Sequence, residues 1–168
     1  MGRPKRFCHS RCRVAANRCP IPAELRNADR WIRHKNKRPI TTSGTPASVT
    51  NPNQWDTFQA ARKSKAGTGL GFVLGSGIGC IDLDHVIDHD GILHPTAQQL
   101  IDTLPPTWIE LSPSKRGLHI WGHLPQAPGR KYQQGGIHIE KYSRDRYITI
   151  TGQTWANTPL QLAELTAL

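Results

Sequence analysis

The chain has 168 residues, of which 36% are apolar, and it carries a formal net charge of +10. This length supports one substantial hydrophobic core, so we expect one domain with at most a small appendage. The sequence lacks both an apolar run long enough to span a membrane and an apolar N-terminal signal core. It therefore predicts a cytoplasmic protein without a membrane partner.

Positive charge is concentrated at the start of the chain. Residues 1–40 contain twelve of the 22 Lys and Arg residues but only two acidic residues, Glu24 and Asp29. A basic segment ahead of a neutral body predicts a polyanionic partner, and nucleic acid is favoured over a membrane because no amphipathic apolar face accompanies the charge. We predict a basic arm over residues 1–20 and a folded domain over residues 21–168.

The basic arm also contains three of the four cysteines, Cys8, Cys12 and Cys19. Cysteines four residues apart, as at Cys8 and Cys12, can share a zinc ion at the start of a helix, but only Cys19 or His9 offers a further ligand. A disordered arm with free thiols accounts for the same pattern. Both interpretations stay open.

Short helices and pairs of strands are predicted along the body of the chain, with residues 41–50 as a loop rich in Gly, Pro, Ser and Thr. Segments that begin with proline and carry apolar residues at helical spacing predict helices over residues 52–64, 95–104 and 159–165. Apolar runs around tight turns predict three hairpins, over residues 70–84, 108–122 and 137–151. The pattern predicts an α+β fold with a mainly antiparallel sheet.

The first predicted hairpin contains two acidic residues at alternate positions, Asp82 and Asp84. Because side chains alternate faces along a strand, these two carboxylates point the same way, about 6.6 Å apart, while Ile81 and Leu83 face a core. Like charges held this close favour one or two divalent cations, Mg²⁺ or Mn²⁺, bridged by both side chains. Asp-x-Asp also occurs at solvated strand ends and in sites that bind nucleotide sugars.

The other two hairpins supply polar groups that can join this pair. His119 and Glu140 each alternate with apolar residues, so the exposed face of one sheet is predicted to gather both of them beside Asp82 and Asp84. Three carboxylates suffice for a two-metal site, and a histidine can donate a hydrogen bond to a phosphate. The loop before His119 is predicted to cradle a triphosphate through Ser112, Ser114, Lys115, Arg116 and Gly117.

The order of these motifs resembles the archaeo-eukaryotic primase superfamily, and most closely the bifunctional primase-polymerase domain at the N-terminus of phage and plasmid replication proteins. The resemblance runs from about residue 21 to residue 165, and it includes the segment Arg-Tyr-Ile-Thr-Ile-Thr-Gly at 146–152. It implies that Asp82, Asp84 and Glu140 bind the metal ions and that His119 contacts the phosphates of the incoming nucleotide. It also implies that Arg146 reaches phosphate or template.

The resemblance further implies an RNA-recognition-motif-like catalytic core plus a smaller N-terminal α/β module. The implied activity is metal-dependent, template-directed DNA polymerase and primase chemistry on a DNA template, a primer and ribo- or deoxyribonucleoside triphosphates, with a replicative helicase module as a further partner. The sequence departs from the superfamily in two places. Gly117 occupies the place of the usual serine two residues before the motif histidine, leaving Ser114 or Arg116 as replacements, and the third acidic residue is Glu140 rather than the more frequent aspartate.

Two other functions were weighed against this interpretation. A rolling-circle initiator nuclease needs two histidines alternating on one strand, whereas His119 is followed at the second position by Trp121 and His138 by Glu140. A single-stranded nucleic-acid-binding module would stack bases on Tyr142, Tyr147 and Trp121. That module accounts for the basic arm but not for three converging carboxylates.

Overall fold

Two β-sheets and three short α-helices make up residues 19–165, the part of the chain that this computed structural model describes. The helices are α1 (Ala23–Asn27), α2 (Phe58–Lys63) and α3 (Pro95–Asp102), with a 3-10 turn at Pro52–Gln54. The strands are β1 (Trp31–Lys35), β2 (Arg38–Ile40), β3 (Gly69–Val73), β4 (Ile78–Asp84), β5 (Ile109–Leu111), β6 (Leu118–His123), β7 (Arg130–Gln134), β8 (Ile137–Tyr142), β9 (Tyr147–Ile150) and β10 (Ala163–Glu164).

The strands form a four-stranded and a six-stranded sheet. The four-stranded sheet has the order β2-β1-β3-β9, and the six-stranded sheet has the order β10-β6-β4-β8-β7, with β5 also paired to β6. Every pairing is antiparallel except that of β10 with β6. The predicted α+β class with mainly antiparallel sheets is confirmed. No helix among residues 19–165 is long and apolar enough to cross a membrane.

Two of the three predicted hairpins are wrong, because the strands on either side of the turn belong to different sheets. Only β5 and β6 form the predicted pair. After β3 the chain crosses from one sheet to the other, and Arg30 stabilises this crossing by donating hydrogen bonds to the carbonyls of Val73 (2.7 Å) and Leu74 (2.6 Å). The chain crosses back between β8 and β9, where the Leu74 amide donates to the Arg146 carbonyl at 2.8 Å.

The predicted helices agree with the structure in one case of three. Helix 95–104 is present as α3. Helix 52–64 is interrupted, because the backbones of Trp31 and Asp56 exchange two hydrogen bonds and the extended bridge they form excludes a helix there. Helix 159–165 is wrong, since that segment contains the short strand β10 along β6.

Besides β10, three strands were missed by sequence reasoning. β1 and β2 are joined by a two-residue hairpin turn at Asn36 and Lys37, both of which have positive φ. These strands were missed because the turn lacks the glycine that usually marks a two-residue hairpin turn in a sequence. All five residues of β7 are exposed, so this edge strand lacks the apolar alternation that predicts a strand.

Two clusters of buried side chains occupy opposite faces of the six-stranded sheet. One cluster joins the two sheets and includes Trp31 and Phe72 of the first sheet and Cys80 and Trp121 of the second. The other lies against α3 and includes Ile81 and Leu83. Because faces alternate along β4, the face that carries Cys80 toward the first sheet continues directly into Asp82 and Asp84.

Candidate active site

Three neighbouring strands place polar side chains in one row across the six-stranded sheet. Asp82 in β4 lies directly opposite His119 in β6 on one side and Glu140 in β8 on the other. Asp84 follows two residues along on the same face. Directly opposed residues on one face of a sheet approach within about 5 Å at Cβ, so the ladder register brings all four predicted residues together.

The sequence predicted an exposed face, but His119 and Asp82 are covered and Asp84 alone of these three is exposed. His119 is 3% exposed, and the side chain of Asp82 is 19% exposed. The cover comes from the first sheet, whose β9 residues lie across the cavity from β4. Asp82, Asp84 and His119 therefore form the floor of a cavity.

The cavity has a volume of about 610 Å³, which is within the range of small-molecule sites. Its floor includes Asp82, Asp84 and His119, and its far wall includes Tyr147 and Arg146. The same lining includes His34 and Lys37 of the β1–β2 hairpin and Ser112 and Ser114 of the loop before β6. Carboxylates on the floor and cations on the walls suit a ligand that combines metal ions with phosphate groups.

Asp82 is the residue whose charge is least compensated. Burial raises the pKa of Asp82 to about 6, and the neighbouring charge of His119 opposes this rise while Asp84 and Glu140 add to it. Its Oδ1 atom is buried and has no hydrogen-bond partner within residues 19–165, because the nearest cationic group, His119 Nε2, is 3.8 Å away. A buried carboxylate oxygen without a partner is costly unless a cation fills the place.

Glu140 is turned away from the cavity by its own partners. Its carboxylate lies 2.5 Å from Lys131 Nζ, accepts a hydrogen bond from the Tyr142 hydroxyl at 2.6 Å and lies 3.9 Å from Arg146. Burial would raise the pKa of Glu140, but the contacts with Lys131 and Tyr142 outweigh it and lower the pKa. Glu140 and Lys131 instead line a neighbouring hollow of about 220 Å³.

The loop before His119 is built around the Ser112 hydroxyl. Ser112 Oγ accepts a hydrogen bond from the Gly117 amide at 3.2 Å and lies 3.0 Å from Ser114 Oγ. A Cβ atom at position 117 would lie 2.6 Å from the Leu83 carbonyl oxygen, so only glycine fits so close to the strand that carries Asp82 and Asp84. Arg116 contacts the Ile87 carbonyl at 3.5 Å, and it is not part of the cavity lining.

A buried acid behind His119 was missed by sequence reasoning. Glu110 of β5 is fully buried and lies 3.2 Å from His119 Nδ1. Burial lowers the pKa of His119, but the hydrogen bond and charge of Glu110 outweigh it, so that the pKa is raised overall. The sequence feature that could have found Glu110 is its position between two apolar residues. A carboxylate in a core strand needs a hydrogen-bond partner, and this need points to a polar residue nearby.

Divalent metal ions fit the donor set of the floor. Asp82 and Asp84 present carboxylate oxygens, the ligands that Mg²⁺ and Mn²⁺ prefer, and Asp82 Oδ1 is unpartnered. Within residues 19–165 no three Asp, Glu, His or Cys side chains are arranged to hold a metal as they stand. Glu140 can complete such a set only by leaving Lys131. The zinc prediction at Cys8 and Cys12 lies outside the described residues, and Cys19 and Cys80 are free thiols.

Without metal, the free energy of unfolding should depend on pH through Asp82. The folded chain holds the Asp82 proton up to about pH 6, whereas the unfolded chain releases it near its ordinary pKa of 3.8. The stability contribution is therefore full below about pH 4 and is lost as pH rises through about 6, by at most about 3 kcal/mol. Denaturant unfolding in a chelator at several pH values measures this loss, with Asp82→Asn as the reference. A difference between the two proteins that is constant with pH would contradict it.

Comparison with known proteins identifies the family of the chain. Residues 14–166 match the family model Prim-Pol, described as bifunctional DNA primase/polymerase, N-terminal. The chain belongs to the Prim-Pol family. It is also similar to the DNA primase-polymerase of Nitratiruptor phage NrS-1, with 34% identity over 151 residues that cover 80% of this chain and 21% of that protein. The Prim-Pol chain thus spans about a fifth of the length of this relative. The predicted family resemblance is confirmed.

Proposed function

We propose that this Prim-Pol domain is a metal-dependent nucleotidyl transferase that extends a primer on a DNA template, in phage or plasmid replication. The observation that carries the proposal is the unpartnered carboxylate oxygen of Asp82 on the floor of the cavity, with Asp84 two residues along. A buried carboxylate in a cavity without a hydrogen-bond partner is typical of a site that binds a ligand. The cavity volume and the cationic walls favour a nucleoside triphosphate as that ligand.

In this mechanism Asp82 and Asp84 would hold the divalent metal, and Glu140 would join them on leaving Lys131. The metal would supply positive charge opposite the triphosphate and would make the primer hydroxyl more acidic. His119, fixed on the floor, donates a hydrogen bond from Nε2 to a phosphate oxygen in its imidazolium form, since Nδ1 carries a hydrogen towards Glu110 as well. The hydroxyl of Ser114, which lines the cavity, supports the phosphates, Gly117 lets this loop lie close to β4, and Arg146 supplies a positive charge at the wall.

We further assign the six-stranded sheet to the RNA-recognition-motif-like catalytic core and the basic arm of residues 1–20 to general DNA affinity. Arg116 is proposed as a phosphate contact that forms only with nucleotide present, since its side chain now lies against Ile87. A helicase module is the proposed replication partner, and the cytoplasm of a bacterial host is the proposed location if the chain is encoded by a phage.

The burial of aromatic side chains argues against the alternative of a single-stranded nucleic-acid-binding module. Trp121 is fully buried and Tyr142 is 7% exposed, so neither ring offers a face to a nucleic-acid base. Tyr142 instead holds Glu140 through its hydroxyl. Stacking on a base needs an exposed aromatic face, which leaves Tyr147 alone among the three rings that were considered.

Replacement of His119 by alanine is expected to weaken nucleotide binding more than metal binding. A lost charge-assisted hydrogen bond to phosphate costs about 1.5 to 3 kcal/mol, so the KM for nucleotide should rise at least about tenfold. Primer-extension kinetics measure the KM, and calorimetry measures Mn²⁺ affinity. His123→Ala is the matched control, since His123 is on the same strand but pairs with Glu24 at 3.2 Å. Loss of Mn²⁺ binding with nucleotide affinity retained would identify His119 as a metal ligand instead.

Removal of residues 1–20 is expected to reduce DNA affinity and its salt dependence without stopping primer extension. These residues include six basic and no acidic side chains. Each phosphate that they neutralise steepens the slope of log affinity against log salt by about 0.7 to 0.9. DNA affinity at several salt concentrations, for the full chain and for a chain beginning at Ile21, measures this slope. An unchanged slope would show that the arm does not contact DNA.

A further inference from the structure

Glu110 is the most deeply buried acidic side chain near the cavity. It lies directly opposite His119 in the β5–β6 ladder, and its exposed fraction is zero. Its Oε1 atom accepts hydrogen bonds from His119 Nδ1 at 3.2 Å and from the Trp121 indole at 3.3 Å. A buried carboxylate is tolerated only where hydrogen bonds replace its water, and Glu110 is placed so that one of these bonds comes from the site histidine.

The hydrogen bond with Glu110 fixes which nitrogen of the His119 imidazole ring faces the cavity. An ionised carboxylate only accepts hydrogen bonds, so His119 Nδ1 carries the hydrogen. The other ring nitrogen, Nε2, then faces Asp82 Oδ1 and the cavity. Glu110 does not line the cavity itself. It acts on the cavity through the ring of His119, whose rotation and hydrogen position it fixes.

The second carboxylate oxygen of Glu110 contacts the chain just beyond β9, outside the cavity lining. Oε2 accepts from the amides of Thr151 at 2.9 Å and Gly152 at 2.8 Å, and it lies 2.9 Å from the Thr151 hydroxyl. These residues directly follow β9, and Tyr147 to Thr149 of β9 belong to the cavity lining. One carboxylate thus joins His119 of the six-stranded sheet to the residues that follow β9 of the four-stranded sheet.

We propose that Glu110 is a positioning residue that fixes His119 so that Nε2 meets the phosphates of the incoming nucleotide. This inference rests on the proposed function. A purely structural role, through Thr151 and Gly152 alone, is the competing explanation. The two roles differ in whether an effect of Glu110 on nucleotide binding requires His119.

Substitution of glutamine for Glu110 tests the hydrogen bond with almost no change in side-chain shape. Every group near the carboxylate offers a hydrogen, so an amide nitrogen placed there faces another donor on either side. We expect Glu110→Gln to remove the hydrogen from His119 Nδ1 or to rotate the ring. Nitrogen-15 spectra of the histidine-labelled 168-residue chain report which ring nitrogens carry hydrogen, and His119→Ala assigns the His119 signals.

The kinetic test is a double-mutant cycle on primer extension. Glu110→Gln should raise the KM for nucleotide about tenfold with a smaller effect on kcat, and the same change in a His119→Ala background should alter KM by less than about twofold. Thr151→Val is the control, since it removes the hydroxyl beside Oε2 without touching His119. It is expected to leave KM within about twofold and the His119 signals unchanged.

Glu110→Asp keeps the inference testable if Glu110→Gln does not fold. It withdraws the carboxylate by one methylene without adding a donor, and a smaller rise in KM is expected, again only where His119 is present. An Nδ1 that keeps its hydrogen in Glu110→Gln, or an equal loss with and without His119, would overturn the inference. If His119→Ala itself left KM unchanged, His119 would not contact the nucleotide as proposed. The positioning role of Glu110 would then be wrong as well.

Discussion

Replacing Asp82 or Asp84 with asparagine should lower primer extension by at least about a thousandfold while the protein stays folded. Each change removes a carboxylate charge from the floor of the cavity. Stabilisation by metal-bound carboxylates is worth several kcal/mol in the transition state, and each 1.4 kcal/mol is a factor of about ten in rate. Extension of a labelled primer, at saturating nucleotide and metal, measures the loss.

The structure also predicts that the Asp82 variant keeps its stability. Asp82 Oδ1 has no hydrogen-bond partner to lose, and asparagine removes a buried charge without changing the shape of the side chain. Its melting temperature without metal should therefore equal or exceed that of the wild type at neutral pH. Asp90→Asn, at a side chain that is 66% exposed, is the matched control and should change neither activity nor stability. Near-normal extension by the Asp82/Asp84 double variant would contradict the assignment.

Replacing Glu140 with glutamine should lower extension about a hundredfold, whereas replacing its partner Lys131 with methionine should not. Glu140 is proposed as the third acidic ligand, and an amide oxygen cannot replace its charge. Lys131 forms an ion pair with the Glu140 carboxylate, and the Lys131 side chain is 64% exposed. Because exposed ion pairs contribute little to stability, loss of Lys131 should leave the fold intact.

The two variants should therefore change metal affinity in opposite directions. In Lys131→Met, the metal no longer competes with the lysine ammonium for the Glu140 carboxylate. The Mn²⁺ affinity measured by calorimetry should therefore rise in this variant. It should fall in Glu140→Gln. If Lys131→Met lost activity as severely as Glu140→Gln, Lys131 would itself contact the substrate, and the exchange of Lys131 for metal would be wrong.

The parts of the site that follow strand periodicity were predictable from sequence. Asp82, Asp84, His119 and Glu140 alternate with apolar residues that face a core, and this local pattern alone defines their common face. The register that makes Asp82 the neighbour of both His119 and Glu140 depends on pairings between strands far apart in sequence. Alternation restricts such registers but does not choose among them.

Sheet membership was not predictable, because a tight turn looks the same whether or not the flanking strands pair. The turn after β3 and the turn after β8 each lead into the other sheet, and the hydrogen bonds of Arg30 that stabilise the first crossing join residues more than 40 positions apart. The burial of His119 follows from this packing of two sheets. Glu110 was overlooked for a related reason, since its partners at Thr151 and Gly152 lie about 40 residues away.

The central claim is template-directed nucleotide addition that depends on divalent metal. The most direct measurement is primer extension by the 168-residue chain on templates that differ at one position, with each nucleotide offered singly, in Mg²⁺, Mn²⁺ or chelator. We expect incorporation only of the nucleotide complementary to the template base and only with metal. DNA binding that is equally strong with metal and with chelator, without any incorporation under these conditions, would contradict the claim and favour a binding module.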